Sequence, residues 1–480
     1  MRFDNSYARL PDRFYTRTPP VAVAAPRMLK FNQRLADELG LDAPADELTR
    51  AKIFTGNLIP EGAEPLALAY AGHQFGHFNP QLGDGRAVLI GEIVTPDGRR
   101  RDMQLKGSGR TPFSRGGDGR AAFGPVLREY LISEAMHALG VPTTRSLAAA
   151  ATGETVYREA PLPGAVLTRM AASHLRIGTF QYFAARGDAE AIRLLVDYAI
   201  DRHYPHLKGA SNPALALYEA VVSAQARLVA KWLSIGFIHG VMNTDNCSIS
   251  GETIDYGPCA FVDAYDHMTV FSSIDAQGRY AYANQPPIAQ WNLARLAETL
   301  IGVIDEDKDR VIAQATERLE SFMPQFRAQW TRLMRQKLGL FMEEEGDTEL
   351  ANNLFNAMHA SKADFTLTFR TLPAQLDASV QEQNDPAEMK EWFGAWRARH
   401  ARETRSLQER TALMDASNPV FIPRNHRVEH ALELATKGDF EAYERLLEAV
   451  SNPFDARKDF IDLAEPPKPG ERVLQTFCGT

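Results

Sequence analysis

Cysteine is scarce in this sequence: Cys247, Cys259 and Cys478 are the three thiols in 480 residues. So low a count excludes a disulfide scaffold and fits a reducing, cytoplasmic setting. Long apolar runs are missing too. None approaches the roughly 18 residues that a membrane span needs, so no membrane partner is expected. Met1-Arg2-Phe3-Asp4-Asn5 lacks a basic region leading into an apolar stretch, and no secretory leader is expected. There is no excess of positive charge: 53 Lys and Arg stand against 61 Asp and Glu, a formal net of −8. That balance argues against nucleic acid as a partner, while leaving room for a local basic pocket that takes a small polyphosphate. Internal repeats and long low-complexity tracts are also missing, which excludes a repeat array. What is present is 44% hydrophobic residues, enough for a globular protein, and the length points to two or three packed units.

Along the chain, residues 1–60 mix turn signals with one helical stretch near Met28 to Leu39. Arg86 to Val94 is rich in Val, Ile and Leu and reads as a strand. Thr95-Pro96-Asp97-Gly98 reads as a turn, and Arg101 to Lys106 as the returning strand. From Phe123 to Leu139 the apolar positions Phe123, Val126, Leu127, Tyr130, Leu131 and Leu139 keep helical spacing; Gly140 closes the helix and Pro142 prevents its resumption. From about 185 the pattern is mainly helical, interrupted by a Gly- and Asp-rich loop section between 236 and 270. The expected fold is α+β and protein-kinase-like, bilobal, with a strand-rich N-lobe, a helical C-lobe and a helical C-terminal extension. The expected boundaries are 1–60 for a segment packing on the lobes, 61–165 for the N-lobe, 166–330 for the C-lobe with its catalytic and metal loops, and 331–480 for the extension.

Gly83-Asp84-Gly85-Arg86 precedes the first of those strands. Glycines let backbone N–H groups approach phosphate without a Cβ in the way, although the same residues also make a tight hairpin turn. Context separates the two readings. Glycine loop, strand, turn, strand ending in Lys106, then a helix with Glu is the order found in protein kinases, where the lysine meets phosphate oxygens and the glutamate holds the lysine. Glu129 and Glu134 both qualify by position. Further on comes His239-Gly240-Val241-Met242-Asn243-Thr244-Asp245-Asn246. Kinases place an Asp two residues after such a His and an Asn five residues after that Asp. Asn246 is in place, but Val241 occupies the position of the base, and Asp245 is the nearby carboxylate able to replace it. Nine residues after Asn246, Asp255-Tyr256-Gly257 sits where kinases carry their metal-binding Asp. Asn and Asp oxygens suit a hard divalent cation such as Mg²⁺. Each piece alone is an ordinary turn; their order across roughly 170 residues is not.

Longer strings carry a family resemblance. They are Tyr70-Ala71-Gly72-His73-Gln74-Phe75-Gly76, Leu82-Gly83-Asp84-Gly85-Arg86-Ala87, Gln104-Leu105-Lys106-Gly107 with Gly109-Arg110-Thr111-Pro112, and Gly117-Asp118-Gly119-Arg120. The His239–Asn246 string, Asp255-Tyr256-Gly257-Pro258, Asn284-Gln285-Pro286-Pro287 and Gln290-Trp291-Asn292-Leu293 complete the set. With these the sequence resembles the selenoprotein O (SelO) family over essentially its whole length. The resemblance implies a pseudokinase that transfers AMP from ATP, and also UMP from UTP, to Ser, Thr or Tyr hydroxyls of proteins, with Mg²⁺ or Mn²⁺. It implies a flipped nucleotide whose α-phosphate lies where a kinase holds the γ-phosphate. Carried over by position, Gly83, Gly85, Arg86 and Lys106 contact the nucleotide; Asp118, Gly119, Arg169 and Arg176 form the pocket for its flipped end. Glu129 pairs with Lys106, Asp245 is the base, and Asn246 and Asp255 hold metal. The choice of Glu129 over Glu134 comes from the Arg128-Glu129 pair of the family.

Residues alone keep two alternatives open: a kinase that transfers the γ-phosphate with Asp245 as base, and a non-catalytic nucleotide-binding scaffold. His73 and His77 are four apart, but Gly72, Gly76 and Pro80 argue against a helix there, and no zinc is expected. In selenocysteine-containing members of the resembled family that residue lies near the C-terminus, so Cys478 is a candidate redox thiol, forming a reversible disulfide with a substrate protein or with Cys259.

Overall fold

The computed structural model describes residues 1–376 and 386–477. In chain order its strands are β1 (Tyr15–Arg17), β2 (Arg27–Phe31), β3 (Leu66–Leu68), β4 (Gly72–Gln74), β5 (His77–Asn79) and β6 (Ala87–Val94). They continue as β7 (Arg100–Lys106), β8 (Ala121–Ala122), β9 (Arg145–Tyr157), β10 (Pro161–Ala171), β11 (Phe237–Ile238) and β12 (Ala260–Phe261). The helices up to the middle of the chain are α1 (Gln33–Glu38), α2 (Glu47–Thr55), α3 (Phe123–Ala138), α4 (Ile177–Ala184), α5 (Ala189–His203), α6 (Pro213–Ser234) and α7 (Gln285–Ile304). Then follow α8 (Lys308–Glu320), α9 (Phe322–Lys337), α10 (Asp347–Ser361), α11 (Phe365–Gln375), α12 (Ala387–His400), α13 (Leu407–Ser417), α14 (Asn425–Thr436) and α15 (Glu441–Val450).

An antiparallel sheet in the order β1-β3-β6-β7-β10-β9-β2, with β8 paired to β10, makes the strand-rich lobe; the helices from α4 onward make the rest. This is the α+β, kinase-like bilobal arrangement. The period-2 alternation of β7 sets up the chemistry. Met103 and Leu105 pack with Val88, Val166, Leu35 and Phe54 on one face. Asp102, Gln104 and Lys106, between them, lie on the other. Antiparallel pairing sets Arg169 of β10 opposite Gln104, so a row of polar groups faces α3 and the helical lobe.

One local expectation is corrected. Met28–Phe31 is strand, not helix: Met28 pairs with Ala150 and Lys30 with Ala149, and the helix begins only where the Asn32 side chain accepts from Leu35 N at 3.1 Å. The strands of the large sheet fall between Tyr15 and Ala171. α3 is closed off just past its end by Gly140, whose φ of +74° is left-handed. Among the described residues, no helix is long and apolar enough to cross a membrane.

Candidate active site

Between sheet and helices lies a cavity of about 470 Å³. Gly83, Gly85, Arg86, Lys106, Asp118, Gly119, Arg169, Arg176, Asp245, Asn246 and Asp255 all line it; Glu129 stands behind Lys106. Residues scattered between Gly83 and Asp255 are thus brought together around a single cleft.

The centre is Asp255, held at a left-handed φ of +61°. Its Oδ1 accepts from Lys106 Nζ at 3.0 Å and Arg169 Nη1 at 2.6 Å, and its Oδ2 from Arg176 Nη1 at 3.1 Å. Burial works against its charge, but Arg169, then Lys106 and Arg176, hold its carboxyl well below the usual carboxylate range. Lys106 also donates to Glu129 Oε2 at 2.6 Å. Glu134 serves elsewhere, accepting from Arg145 and from Ser146 N at the end of β9. Arg169 and Arg176 are buried rather than surface arginines. Arg169 further donates from Nε to Gln104 Oε1 at 2.7 Å. Arg176 lies over the Tyr70 ring at 4.5 Å, donates to Asp245 O at 2.7 Å, and leaves Nη2 without a partner.

Asp245 lies in a short 3₁₀ turn, Thr244–Asn246. Gln74 Nε2 donates to its Oδ2 at 3.2 Å, while its Oδ1 is buried without a hydrogen-bond partner. Burial pushes its carboxyl up to about 6, partly opposed by Arg176. The β4–β5 hairpin presses on this turn: His73 N donates to Thr244 Oγ1 at 2.7 Å, and Phe75 N to Asn243 Oδ1 at 3.1 Å. Gly72 is required for that approach, since a Cβ there would lie 2.5 Å from Asp245 Oδ1. His73 and His77 therefore sit in a hairpin, His73 bonded to Gln181 at 2.8 Å and edge-on to Trp291.

Val241 contributes its carbonyl, accepting from Asn246 Nδ2 at 3.0 Å, which leaves the amide oxygen of Asn246 for another partner. With Asp255, that oxygen gives the all-oxygen donor set a hard divalent ion prefers, so the residues present fit such an ion. At the glycine loop, Gly83 takes φ +69°, and a Cβ there would lie 2.3 Å from the Phe113 ring. Asp118 is at the rim, paired with Arg158 at 2.8 Å.

Several participants are not evident from kinase-type spacing. Asp84 is buried, accepts from Gln104 Nε2 at 3.0 Å and Leu68 N at 3.1 Å, and is pushed up to about 6 by burial. Gln104 thereby bridges Asp84 and Arg169. Tyr70 and Gln74 also belong to the cleft wall. All four fall inside the strings that carry the family resemblance, and that was the signal available for them. Cys478 lies outside the described residues; Cys259 is buried, its carbonyl accepting from Arg128 Nη2 at 2.6 Å.

The class is protein-kinase-like: a sheet lends a lysine, the helix behind it a glutamate, and the helical lobe an Asn and an Asp. Comparison with known proteins narrows this. The family model described as "Protein adenylyltransferase SelO" matches residues 1–451. "Protein nucleotidyltransferase YdiU" of Rhizobium etli (strain CIAT 652) is 59% identical over 485 residues, covering 100% of this chain and 97% of the relative. The proteins of the same name from Rhizobium meliloti (strain 1021) and Bradyrhizobium sp. (strain ORS 278) are each 59% identical over 486 residues, covering 100% of this chain and 99% of the relative. The chain belongs to the SelO family of protein adenylyltransferases and is a nucleotidyltransferase with ATP as donor substrate.

Proposed function

We propose that the chain transfers AMP to Ser, Thr or Tyr hydroxyls of proteins, with Asp245 as general base and Asn246 and Asp255 as ligands of Mg²⁺ or Mn²⁺. One observation carries the reading: a buried carboxylate with a free oxygen, Asp245 Oδ1, shares a cleft with three cations gathered on Asp255. Asp245 takes the proton of the acceptor hydroxyl as its oxygen attacks the α-phosphorus, and pyrophosphate leaves. Lys106, fixed by Glu129, meets the charge at the reacting phosphate. Arg169 and Arg176, the latter with a spare Nη2, neutralise the β- and γ-phosphates of a flipped nucleotide. Gly83, Gly85, Arg86, Asp118 and Gly119 shape the walls of the same pocket. A bound divalent ion adds screening of phosphate charge. Catalysis is chiefly positioning and electrostatics. These contacts read phosphate rather than base, which supports UTP as a further donor. Few thiols and a net negative charge support a cytoplasmic protein that acts on neither nucleic acid nor membrane.

Incubation with ATP labelled at the α- or the γ-phosphate tests this. The expected result is protein labelled from α-labelled ATP alone, with the mass increment of AMP. Label from the γ-phosphate alone overturns it in favour of a kinase.

A further inference from the structure

Three potential ligands converge where the connection after β12 meets the end of α10, and none of them lines the nucleotide cleft. His267 Nδ1 and His359 Nδ1 each lie 3.8 Å from Asp266 Oδ1, and the three ligand atoms fall within 4.8 Å of one another. Tetrahedral zinc with N and O ligands at about 2.1 Å sets neighbouring ligand atoms about 3.4 Å apart, so small rotamer shifts close the triangle. The backbone beneath is already fixed: Tyr265 N donates to Ala363 O at 2.9 Å, and Phe365 N to Asp263 O at 2.8 Å. His359 Nδ1 is shielded from solvent yet has no hydrogen-bond partner. The side chains as a whole remain 39% to 51% exposed, so an ion can reach them. Asp266 Oδ1 also accepts from Met268 N at 2.9 Å, which orients the carboxylate. The competing cation is Lys362, its Nζ 3.4 Å from Asp266 Oδ2 on a side chain 61% exposed and free to withdraw.

We propose that Asp266, His267 and His359 bind a first-row transition dication, Zn²⁺ above all, leaving a fourth position for water. Two imidazoles select against Mg²⁺ and Ca²⁺, which take oxygen. The ion clips residues 266–267 to α10. The stretch that follows carries Ile274, at the cleft, and Tyr280, whose hydroxyl donates to Asn243 Oδ1 at 2.7 Å beside Asp245. The clip therefore restrains a segment that contributes Ile274 to the cleft wall.

The test uses untagged, metal-stripped, full-length protein in excess Mg²⁺, titrated with Zn²⁺ by calorimetry and with Co²⁺ by visible absorption. One site per chain with nitrogen-ligand Co²⁺ bands is expected. His267→Ala and His359→Ala should each weaken it by more than about tenfold. Lys362→Gln should strengthen it, an outcome independent of how the histidine variants fold. Asp255→Asn should leave it in place. Affinity unchanged in both histidine variants, or a site lost in Asp255→Asn, overturns the proposal, as does wild-type protein that binds Zn²⁺ no better than the histidine variants.

Discussion

Asp245 and Asp255 share a cleft yet titrate in opposite directions, because burial acts on both and only Asp255 is surrounded by cations. A base must be ionised to accept a proton, and Asp245, the proposed base, is pushed up to about 6. Transfer should therefore rise as pH climbs through about 6 and level off above it. Asp84 is raised to a similar value, so Asp84→Asn discriminates: the ascending limb should survive it. A rate independent of pH across that range, or a limb removed by Asp84→Asn, would assign the base elsewhere. Asp245→Ala should keep ATP binding and lower transfer by about 10²- to 10⁴-fold. A loss of less than roughly tenfold, short of that range, would give Asp245 a structural role. Asp255→Ala should abolish metal-dependent ATP binding, and chelation of divalent ions should do the same to the wild type. It also strands Lys106, Arg169 and Arg176 around an empty position, so a stability loss on the order of 3 kcal/mol should accompany it. Calorimetric ATP titration and thermal melts read the two effects separately; unchanged affinity would move the metal site away from Asp255.

At the scale of elements, α3 links the cleft to the far end of the chain. Glu129 points to Lys106 from one side of it, and Tyr443 of α15 donates to Leu127 O at 2.9 Å from another. Tyr443→Phe removes that bond while keeping the ring, and should cost about 1 kcal/mol, read as a lower denaturation midpoint. No change would mean that α15 holds α3 through packing alone. Much of this layer was legible in the sequence. The strands around Thr95–Gly98 and the helix from Phe123 have strong periodicity and clear punctuation, and the order of Gly loop, Lys, Glu, Asn and Asp is itself informative. β9 and β10 were not legible. Ala148, Ala149 and Ala150 have weak strand preference, and only the pairing of β9 with β10 and β2 makes them a strand. Met28–Phe31 failed for the same reason: a partner about 120 residues away decided its conformation. The ion pairs of Arg169 and Arg176 were equally hidden, since no local pattern says which carboxylate a buried arginine meets.

The whole molecule is tied together by charge as well as by apolar packing. Arg202, on α5 of the helical lobe, donates from Nη1 to Glu92 Oε2 and from Nη2 to Asp102 Oδ1, each at 2.5 Å, and from Nε to Ala172 O at 3.0 Å. Both carboxylates stand on the sheet, Asp102 on the same polar face of β7 as Lys106. The side chains are nearly inaccessible, 3% exposed for Arg202, 1% for Glu92 and 5% for Asp102. Burial opposes the charge of Asp102, yet Arg202 and a bond from His174 hold it at about 2, so it stays ionised in the folded state. Arg202→Ala would leave two buried carboxyls facing each other without their shared cation, with Arg100 Nε 3.5 Å from Glu92 and His174 on Asp102 as the remaining partners. Such a loss costs about 3 to 5 kcal/mol, because the stranded charges keep their desolvation penalty. The expected result is a large fall in the denaturant midpoint, with transfer falling in parallel as the lobes lose their fixed relation. Lys437→Ala is the contrast: its pair with Glu433 is about two-thirds exposed on both sides and screened by water, so no measurable change is expected. If Arg202→Ala proved as mild as Lys437→Ala, apolar packing alone would be holding sheet and helices together, and the buried charges would be passengers at that interface.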